Sequence, residues 1–172
     1  IYQSCDTFFY HYGRQNGVDA IAAMARRFGL GEKYPGIVLP TQRTGIVPDQ
    51  AWKMKRYGKP WLLGETLNAA IGQGYLIQTP LQLAVMAARL ASGRAVQPRL
   101  LADSKLITAP SLGLPEEHLA VIRQAMSDVV NSPRGTAVNA RLRTDAVTMA
   151  GKTGTAQVRR ITAAERRRGV LS

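Results

Sequence analysis

The chain has 172 residues, 45% of them hydrophobic, which suits one packed domain or part of one and excludes a disordered chain. Its formal net charge of +12 would suit nucleic acid, an anionic surface or an acidic substrate as a partner. The basic residues are spread along the chain without a known nucleic-acid-binding motif, so we expect no nucleic-acid partner and keep a basic nucleic-acid module as the alternative of a different class.

The predicted elements begin with a short helix over residues 17–28, which ends at Gly29. Its buried face is predicted to carry Ile21, Met24, Ala25 and Phe28. Residues 31–60 follow as a turn-rich stretch with four prolines and little periodicity. At that length we expect the stretch to be functional or packed on its neighbours.

The clearest helix start is the sequence TPLQ at residues 79–82. The Thr79 hydroxyl can accept from the Gln82 N–H, and the Gln82 side chain can bond the Thr79 N–H in return. Pro80 stands where a missing N–H costs nothing. This helix is predicted to end at Gly93, and another is predicted over residues 115–131. The buried stripe of the second helix is predicted to hold Leu119, Ile122, Met126, Val129 and Val130.

Residues 152–158 are predicted to form a strand, because threonine and valine alternate there with smaller residues. Gly154 would let a ligand approach the strand backbone closely. Helices therefore come first and a strand comes last, which predicts an α+β fold of which this chain holds a helical cluster and the start of an antiparallel sheet.

Two short motifs carry candidate chemistry. Lys152 supplies a positive charge beside the hydroxyls of Thr153 and Thr155, a combination that suits a carboxylate next to a reacting carbonyl. Ser4, two residues before the carboxylate of Asp6, can relay a proton. Taken alone, the motif at Lys152 is more typical of a surface strand, and the motif at Ser4 is more typical of a helix cap.

Together, and in this order, the motifs resemble those of class B penicillin-binding proteins. The sequence SCDTFFY at residues 4–10 resembles their second motif, and KTGT at residues 152–155 resembles their third. AIGQG at residues 70–74, TPLQLA at 79–84 and GTA at 135–137 are similar to the stretches that lie between those motifs. The resemblance covers nearly the whole chain.

The resemblance implies the penicillin-binding protein transpeptidase and serine β-lactamase-like fold, and a peptidoglycan D,D-transpeptidase. The second motif of the family often ends in asparagine, and this chain has Asp6 there. An aspartate at that position, with the sequence around Trp52 and Trp61, is similar to the elongation-type group, penicillin-binding protein 2. The division-type group is the runner-up.

The resemblance also implies roles for single residues. Ser4 would relay the proton to the leaving amine, Asp6 would orient Ser4 or the substrate amide, and Lys152 would add positive charge. The hydroxyls of Thr153 and Thr155 would bind the substrate carboxylate beside the open backbone of Gly154, and the Thr155 N–H would form half of an oxyanion hole.

The same resemblance implies partners and a location. The partners are D-Ala-D-Ala stem peptides, β-lactam antibiotics, a membrane glycosyltransferase and proteins of the elongation complex. The protein is expected at the bacterial inner membrane with its catalytic domain in the periplasm, although no run of about 18 apolar residues occurs in this chain. No cofactor and no metal is expected. Rivals with the same fold are a D,D-carboxypeptidase or β-lactamase, which passes the acyl group to water, and a non-catalytic β-lactam sensor.

One expected motif is missing. The nucleophilic serine of the family lies in an S-x-x-K motif upstream of the second motif, and only three residues precede Ser4. We therefore expect residues 1–172 to be a transpeptidase domain truncated at both ends, which as given is not acylated by penicillin.

Four other side chains have more ordinary interpretations. Cys5 is expected to be a small packing residue, with a reactive thiol or a metal ligand as alternatives. His11 is expected to be packed or on the surface, since a metal role shared with Cys5 offers only two ligands. Trp52 and Trp61 are expected to anchor the core or a loop, with a glycan or partner groove as the alternative.

Overall fold

The computed structural model describes residues 1–102, 108–144, 146–156 and 167. Five α-helices lie in these ranges. They are α1 (Asp6–Arg27), α2 (Gln50–Tyr57), α3 (Leu63–Ala70), α4 (Pro80–Ser92) and α5 (Glu116–Asn131), with a short 3₁₀ helix at Val138–Ala140. Two compact units result, one formed by Cys5–Gln124 and the other by Ile1–Ser4 with Ala125–Ser172.

The helix predicted over residues 17–28 is the second half of α1. The helical path breaks at Gly17, whose φ of 76° and ψ of 164° fall in a region that only glycine adopts readily. α1 packs against α3, where a Cβ added to Gly13 would lie 2.5 Å from the Ala70 Cβ. The predicted buried face is wrong in part, because Val18 and Ala22 are buried whereas Met24 is exposed.

The capping box predicted for α4 is confirmed. The Thr79 hydroxyl accepts from the Gln82 N–H at 3.2 Å, and the Gln82 Oε1 accepts from the Thr79 N–H at 3.0 Å. Gln82 is also buried, and its amide nitrogen donates to the Thr44 carbonyl at 2.6 Å. Gly93 ends the helix in the left-handed conformation, as predicted.

The turn-rich stretch predicted over residues 31–60 contains a helix that the sequence pattern did not reveal. Asp49 caps α2 by accepting from the Trp52 N–H at 2.7 Å, and Gly58 ends the helix with a φ of 63°. The core of this unit is formed by Ala22, Leu30 and Val47, with Ala25, Leu76 and Met86 packed against them.

In the second unit the last turns of α5 are buried through Val129 and Val130, as the predicted stripe requires. The strand predicted over residues 152–158 is not present in residues 152–156, because no neighbouring segment pairs with them among the described residues. Residues 157 and 158 lie outside the described residues. Only isolated bridges, Ile46 with Ile77 and Arg94 with Ser111, represent β-structure in the described ranges.

Candidate active site

Ser4 lies in a tight turn at the start of the chain. Its N–H donates to the Ile1 carbonyl at 3.1 Å, and its φ of 50° places it in the left-handed region. A non-glycine residue in that conformation costs about 1–3 kcal/mol and persists only where neighbouring bonds hold it. The hydrogen bond to Ile1 and the bond from Lys152 to Ser4 Oγ are the contacts that hold Ser4 in this backbone conformation.

Lys152 is the partner of that hydroxyl. Its ammonium nitrogen Nζ lies 2.7 Å from Ser4 Oγ, 2.8 Å from the Thr153 carbonyl oxygen and 3.2 Å from Thr153 Oγ1. An ammonium has three protons, so these three acceptors use its full donor capacity. All three acceptors are neutral and Lys152 is exposed, so its charge is available to an anionic ligand.

Helix α5 holds the segment that leads to Lys152. The Asn131 amide nitrogen donates to the Met149 carbonyl at 2.9 Å, and the Gly151 N–H donates to the Met126 carbonyl at 3.0 Å. Asn131 also donates to the Ser127 carbonyl within its own helix at 2.9 Å. The last two turns of α5 therefore fix the backbone on both sides of residue 150.

The segment after α5 completes the arrangement. The Thr136 N–H donates to the Tyr2 carbonyl at 3.3 Å, and the hydroxyl oxygens of Thr136 and Thr153 lie 3.2 Å apart. Beyond Thr153 the site is open, since a Cβ added to Gly154 would meet nothing within 4 Å. Thr155 is also exposed. The Ser4 hydroxyl, the Lys152 ammonium and the hydroxyls of Thr136 and Thr153 are thus linked by short contacts beside an exposed segment that a ligand can reach.

A comparison with known proteins identifies the family. The model of the penicillin binding protein transpeptidase domain matches residues 1–167. The chain belongs to the penicillin-binding protein transpeptidase domain family. Within the chain, the Lys152–Ser4 hydrogen bond joins side chains 148 positions apart, which are the residues predicted to belong to two motifs of one site.

Named proteins similar to this chain indicate which group of the family it resembles. The peptidoglycan D,D-transpeptidase MrdA of Acinetobacter baumannii is 38% identical over 96% of this chain. Penicillin-binding protein 2 of Helicobacter pylori, solved in complex with MreC, is 36% identical over 92% of the chain with a TM-score of 0.83. Pseudomonas aeruginosa PBP2 in complex with WCK 5153 is 36% identical over 92%, with a TM-score of 0.77. The predicted resemblance to the penicillin-binding protein 2 group and its fold is confirmed.

The chain spans about a quarter of the length of the curated relatives it matches, 26% for the Acinetobacter protein. It covers 30% of the Helicobacter chain and 37% of the Pseudomonas chain. Three residues precede Ser4 in the sequence, and the assignment of Ser4 and Lys152 to the second and third motifs stays a prediction.

The structure brings some of the predicted site residues into contact and leaves Asp6 apart from them in the chain's division into units. Lys152 contacts both Ser4 and Thr153, while Gly154 and Thr155 continue the same segment. Asp6 is exposed and opens α1, where its carboxylate favourably faces the positive end of the helix dipole. Asp6 belongs to the other compact unit, and its orienting role stays a prediction.

Cys5 is not the packing residue that the sequence suggested, because it is exposed. Its thiol lies 3.3 Å from the Thr7 hydroxyl, and that hydrogen bond, with one from the Phe8 backbone, lowers the pKa of Cys5 below its ordinary value. His11 is on the surface, edge-on to the Tyr12 ring. Within the described residues no three histidine, cysteine or carboxylate side chains converge as a metal site would require.

Trp52 and Trp61 anchor the region between α2 and α3. Both are half-buried, and both rings contact Tyr75, with centroids 5.3 and 6.2 Å from it. The Trp61 indole N–H donates to the Thr66 hydroxyl at 2.8 Å. These contacts favour the predicted anchoring role over a glycan groove.

One cavity of about 480 Å³ opens in the unit that contains Lys152. None of its lining residues belongs to either motif. They are Val138, Asn139, Arg141, Leu142, Arg143 and Thr144. No helix in the described part of the chain has the length and apolar character that a membrane span requires.

Proposed function

We propose that this chain is part of a peptidoglycan D,D-transpeptidase, which cross-links stem peptides through a serine acyl-enzyme during cell-wall elongation. The observation that carries the proposal is the 2.7 Å distance between Lys152 Nζ and Ser4 Oγ. It supports a shared site for the second and third motifs, as transpeptidation requires. The names of the relatives support the same activity.

The proposed reaction transfers one acyl group twice. The serine of an upstream S-x-x-K motif attacks the carbonyl of the penultimate D-Ala, and the bond to the terminal D-Ala breaks as that residue leaves as an amine. The amine of a neighbouring stem then attacks the ester, releases the serine and forms the cross-link. Each step needs one proton delivered to, or removed from, an amine.

Ser4 is suited to that proton transfer. Because Lys152 donates to Ser4 Oγ, the serine oxygen already has a donor and its own proton points elsewhere. That proton is available to the leaving amine, and the same oxygen can take a proton from the incoming amine. The nearby ammonium stabilises the oxygen whenever it carries negative charge.

Thr153, Gly154 and Thr155 are suited to the ligand end of the reaction. The two hydroxyls would bond the terminal carboxylate, and Lys152 would supply the countercharge. The absence of a side chain at Gly154 would let the peptide lie along the backbone, with the Thr155 N–H directed at the developing oxyanion. β-Lactams carry a carboxylate next to a reactive carbonyl and would use the same contacts.

The proposal extends to partners and location. The Helicobacter relative was solved with MreC, which supports elongation-complex proteins as partners of the protein that carries this chain. A membrane glycosyltransferase would supply the glycan strands. The proposed cell-wall substrate supports a catalytic domain in the periplasm, and attachment to the inner membrane is part of the same proposal.

The experiment uses the protein that carries this chain together with its S-x-x-K serine. Incubation with fluorescent penicillin should label it covalently, and incubation with pentapeptide substrate and an acceptor stem should give cross-linked product. Release of trimmed peptide alone would favour a carboxypeptidase, and labelling without turnover would favour a sensor. Absence of labelling with salt-sensitive DNA binding would favour the nucleic-acid module.

A further inference from the structure

The segment Gly135-Thr136-Ala137 lies in the same unit as Lys152 and has no assigned role. Gly135 is buried against the end of α5, where a Cβ would collide with the carbonyl oxygens of Asp128 and Val129. Its N–H donates to the Ser132 carbonyl at 2.9 Å, and the Ala137 N–H donates to the Val129 carbonyl at 2.9 Å. The backbone on both sides of Thr136 is therefore fixed by α5.

From that fixed position Thr136 contacts both motif segments. Its N–H donates to the carbonyl of Tyr2, two residues before Ser4, at 3.3 Å. Its hydroxyl oxygen lies 3.2 Å from the hydroxyl oxygen of Thr153. The backbone contact and the hydroxyl contact are independent, so a substitution can remove the second and keep the first.

The hydroxyl of Thr153 has one proton and can accept two hydrogen bonds. Lys152 donates to it at 3.2 Å and uses one acceptor position. If Thr153 donates to Thr136, its proton is consumed and cannot reach a ligand. If Thr136 donates to Thr153, both acceptor positions are filled and the Thr153 proton is left for a ligand. Only the second arrangement allows Thr153 to bond a carboxylate.

We propose that Thr136 is a positioning residue, which donates its hydroxyl proton to Thr153 so that the Thr153 proton is directed at the carboxylate of the bound peptide or β-lactam. The proposal rests on the proposed function, since it assigns Thr153 to carboxylate recognition. It explains why a threonine follows the buried glycine, because the position needs a donor at a fixed distance from Thr153.

The test uses the protein that carries this chain with its S-x-x-K serine and measures the second-order rate of acylation. The two ligands are benzylpenicillin and its carboxyl methyl ester, which cannot accept as a carboxylate. Thr136→Val removes the hydroxyl and keeps the shape, and Thr136→Ser restores a donor. Thr144→Val is the matched control, because the Thr144 hydroxyl accepts only from the Ala146 N–H, at 3.2 Å, among the described bonds of that unit.

We expect Thr136→Val to lower the rate with benzylpenicillin about tenfold, since hydrogen bonds to charged groups are among the stronger ones. The rate with the ester should change by less than about twofold, Thr136→Ser should recover most of the loss, and Thr144→Val should match the wild type. Should Thr136→Val fail to fold, Thr136→Ala removes the same hydroxyl with less bulk.

Several results would overturn the proposal. Equal losses with acid and ester would assign Thr136 a purely structural role, and an unchanged rate with both would remove any role. A wild-type protein that is never acylated would instead overturn the proposed function, and the inference with it. A loss with Thr144→Val equal to that with Thr136→Val would show that both act through the stability of the unit.

Discussion

Lys53 and Lys152 show two uses of the same side chain. Lys53 is buried, with 4% of its surface exposed, and its ammonium lies 2.5 Å from each carboxylate oxygen of Glu65. Lys152 is exposed and bonds only neutral oxygens among the described residues. A buried cation needs a matching anion to offset its lost hydration, whereas an exposed cation with neutral partners keeps its charge for a ligand.

The surroundings of Lys53 fit a structural role. The Trp61 ring centroid lies 5.8 Å from its nitrogen, and the Tyr75 hydroxyl donates to Glu65 at 3.2 Å. Burial would raise the pKa of the Glu65 carboxyl, but hydrogen bonds from Lys53 and from the Leu62 N–H outweigh it and hold the pKa below its ordinary value. The Glu65 carboxyl therefore stays ionised at neutral pH, and its ion pair with Lys53 ties α2 to α3.

The largest effect is expected when the hydroxyl of Ser4, which accepts from Lys152, is removed. Ser4→Ala in the protein with its S-x-x-K serine should slow acylation by about 10²–10⁴-fold, because the proposed proton relay through Ser4 is lost. Asp6→Asn should cost less, since asparagine keeps the size and an acceptor oxygen. Stopped-flow measurement with a chromogenic β-lactam checks both. If Asp6→Asn is as damaging as Ser4→Ala, Asp6 acts through its charge and the orienting role is wrong.

The matching test at Lys53 should affect stability. Lys53→Ala leaves the Glu65 carboxylate half-buried without its cation and should lower the free energy of unfolding by about 3–5 kcal/mol. The double substitution Lys53→Met with Glu65→Leu should recover most of that loss, because no charge is then stranded. Urea unfolding of the chain measures both. A double variant as unstable as Lys53→Ala would contradict this account of the pair.

Lys152→Arg separates charge from shape. Arginine keeps the charge but is a planar fork, while lysine is a compact ammonium whose three protons match three oxygens here. We expect Lys152→Arg to lose about 10²–10³-fold in acylation rate, nearly as much as Lys152→Ala, with unfolding free energy unchanged within about 0.5 kcal/mol. An arginine variant with near-normal activity would show that charge alone suffices.

Local chemistry was predictable from the sequence where neighbours in the chain decide the structure. The Thr79–Gln82 capping box and the stop at Gly93 need only residues a few positions apart. α2 carried the same kind of signal, a capping Asp49 and a left-handed Gly58, but the prolines around it obscured the pattern. Met24 was assigned to the wrong face because large apolar residues also occur at surfaces.

The site was predictable only through likeness to a family. Ser4 and Lys152 are 148 positions apart, and no periodicity relates them. The hydroxyl contact of Thr136 with Thr153 was not predicted, although the motif that contains Thr136 was noticed. A strand is defined by a paired neighbour, so the sequence of residues 152–156 could not by itself predict its pairing.

A smaller effect is expected on the ligand side of Lys152. Thr155→Val removes a hydroxyl and keeps the backbone N–H, so it should weaken binding of a carboxylate ligand by about tenfold. The kinetics with an amidated substrate should change little on Thr155→Val. With the acid, the substitution should raise KM more than it lowers kcat. Steady-state kinetics with the acid and the amide compare the two. Equal losses for both would assign Thr155 to the general shape of the site.

The smallest expected effect is the pH dependence of the free energy of unfolding that arises from Glu65, the partner of Lys53. The pKa of Glu65 is lowered on folding, so its contribution to stability is fully present above the unfolded value, about 4.3. The contribution is lost as pH falls through the folded value. Asp49 behaves in the same direction, because its bonds from the Trp52 N–H and Arg26 outweigh burial and lower its pKa. Comparison of the wild type with Glu65→Gln separates the contribution of Glu65 from that of Asp49.

At pH 7 the wild type should therefore be more stable than Glu65→Gln, which leaves Lys53 buried without an anion. As pH falls below about 4.3, the wild type loses its advantage and the two urea midpoints should converge, while both proteins still lose the Asp49 contribution. A constant difference between the midpoints from pH 7 to pH 3 would mean that folding does not shift the pKa of Glu65, because its folded and unfolded states would then bind the same number of protons at each pH. The hydrogen bonds from Lys53 and from the Leu62 N–H would then only balance the effect of burial on the Glu65 carboxyl, and this account of the pair would be wrong.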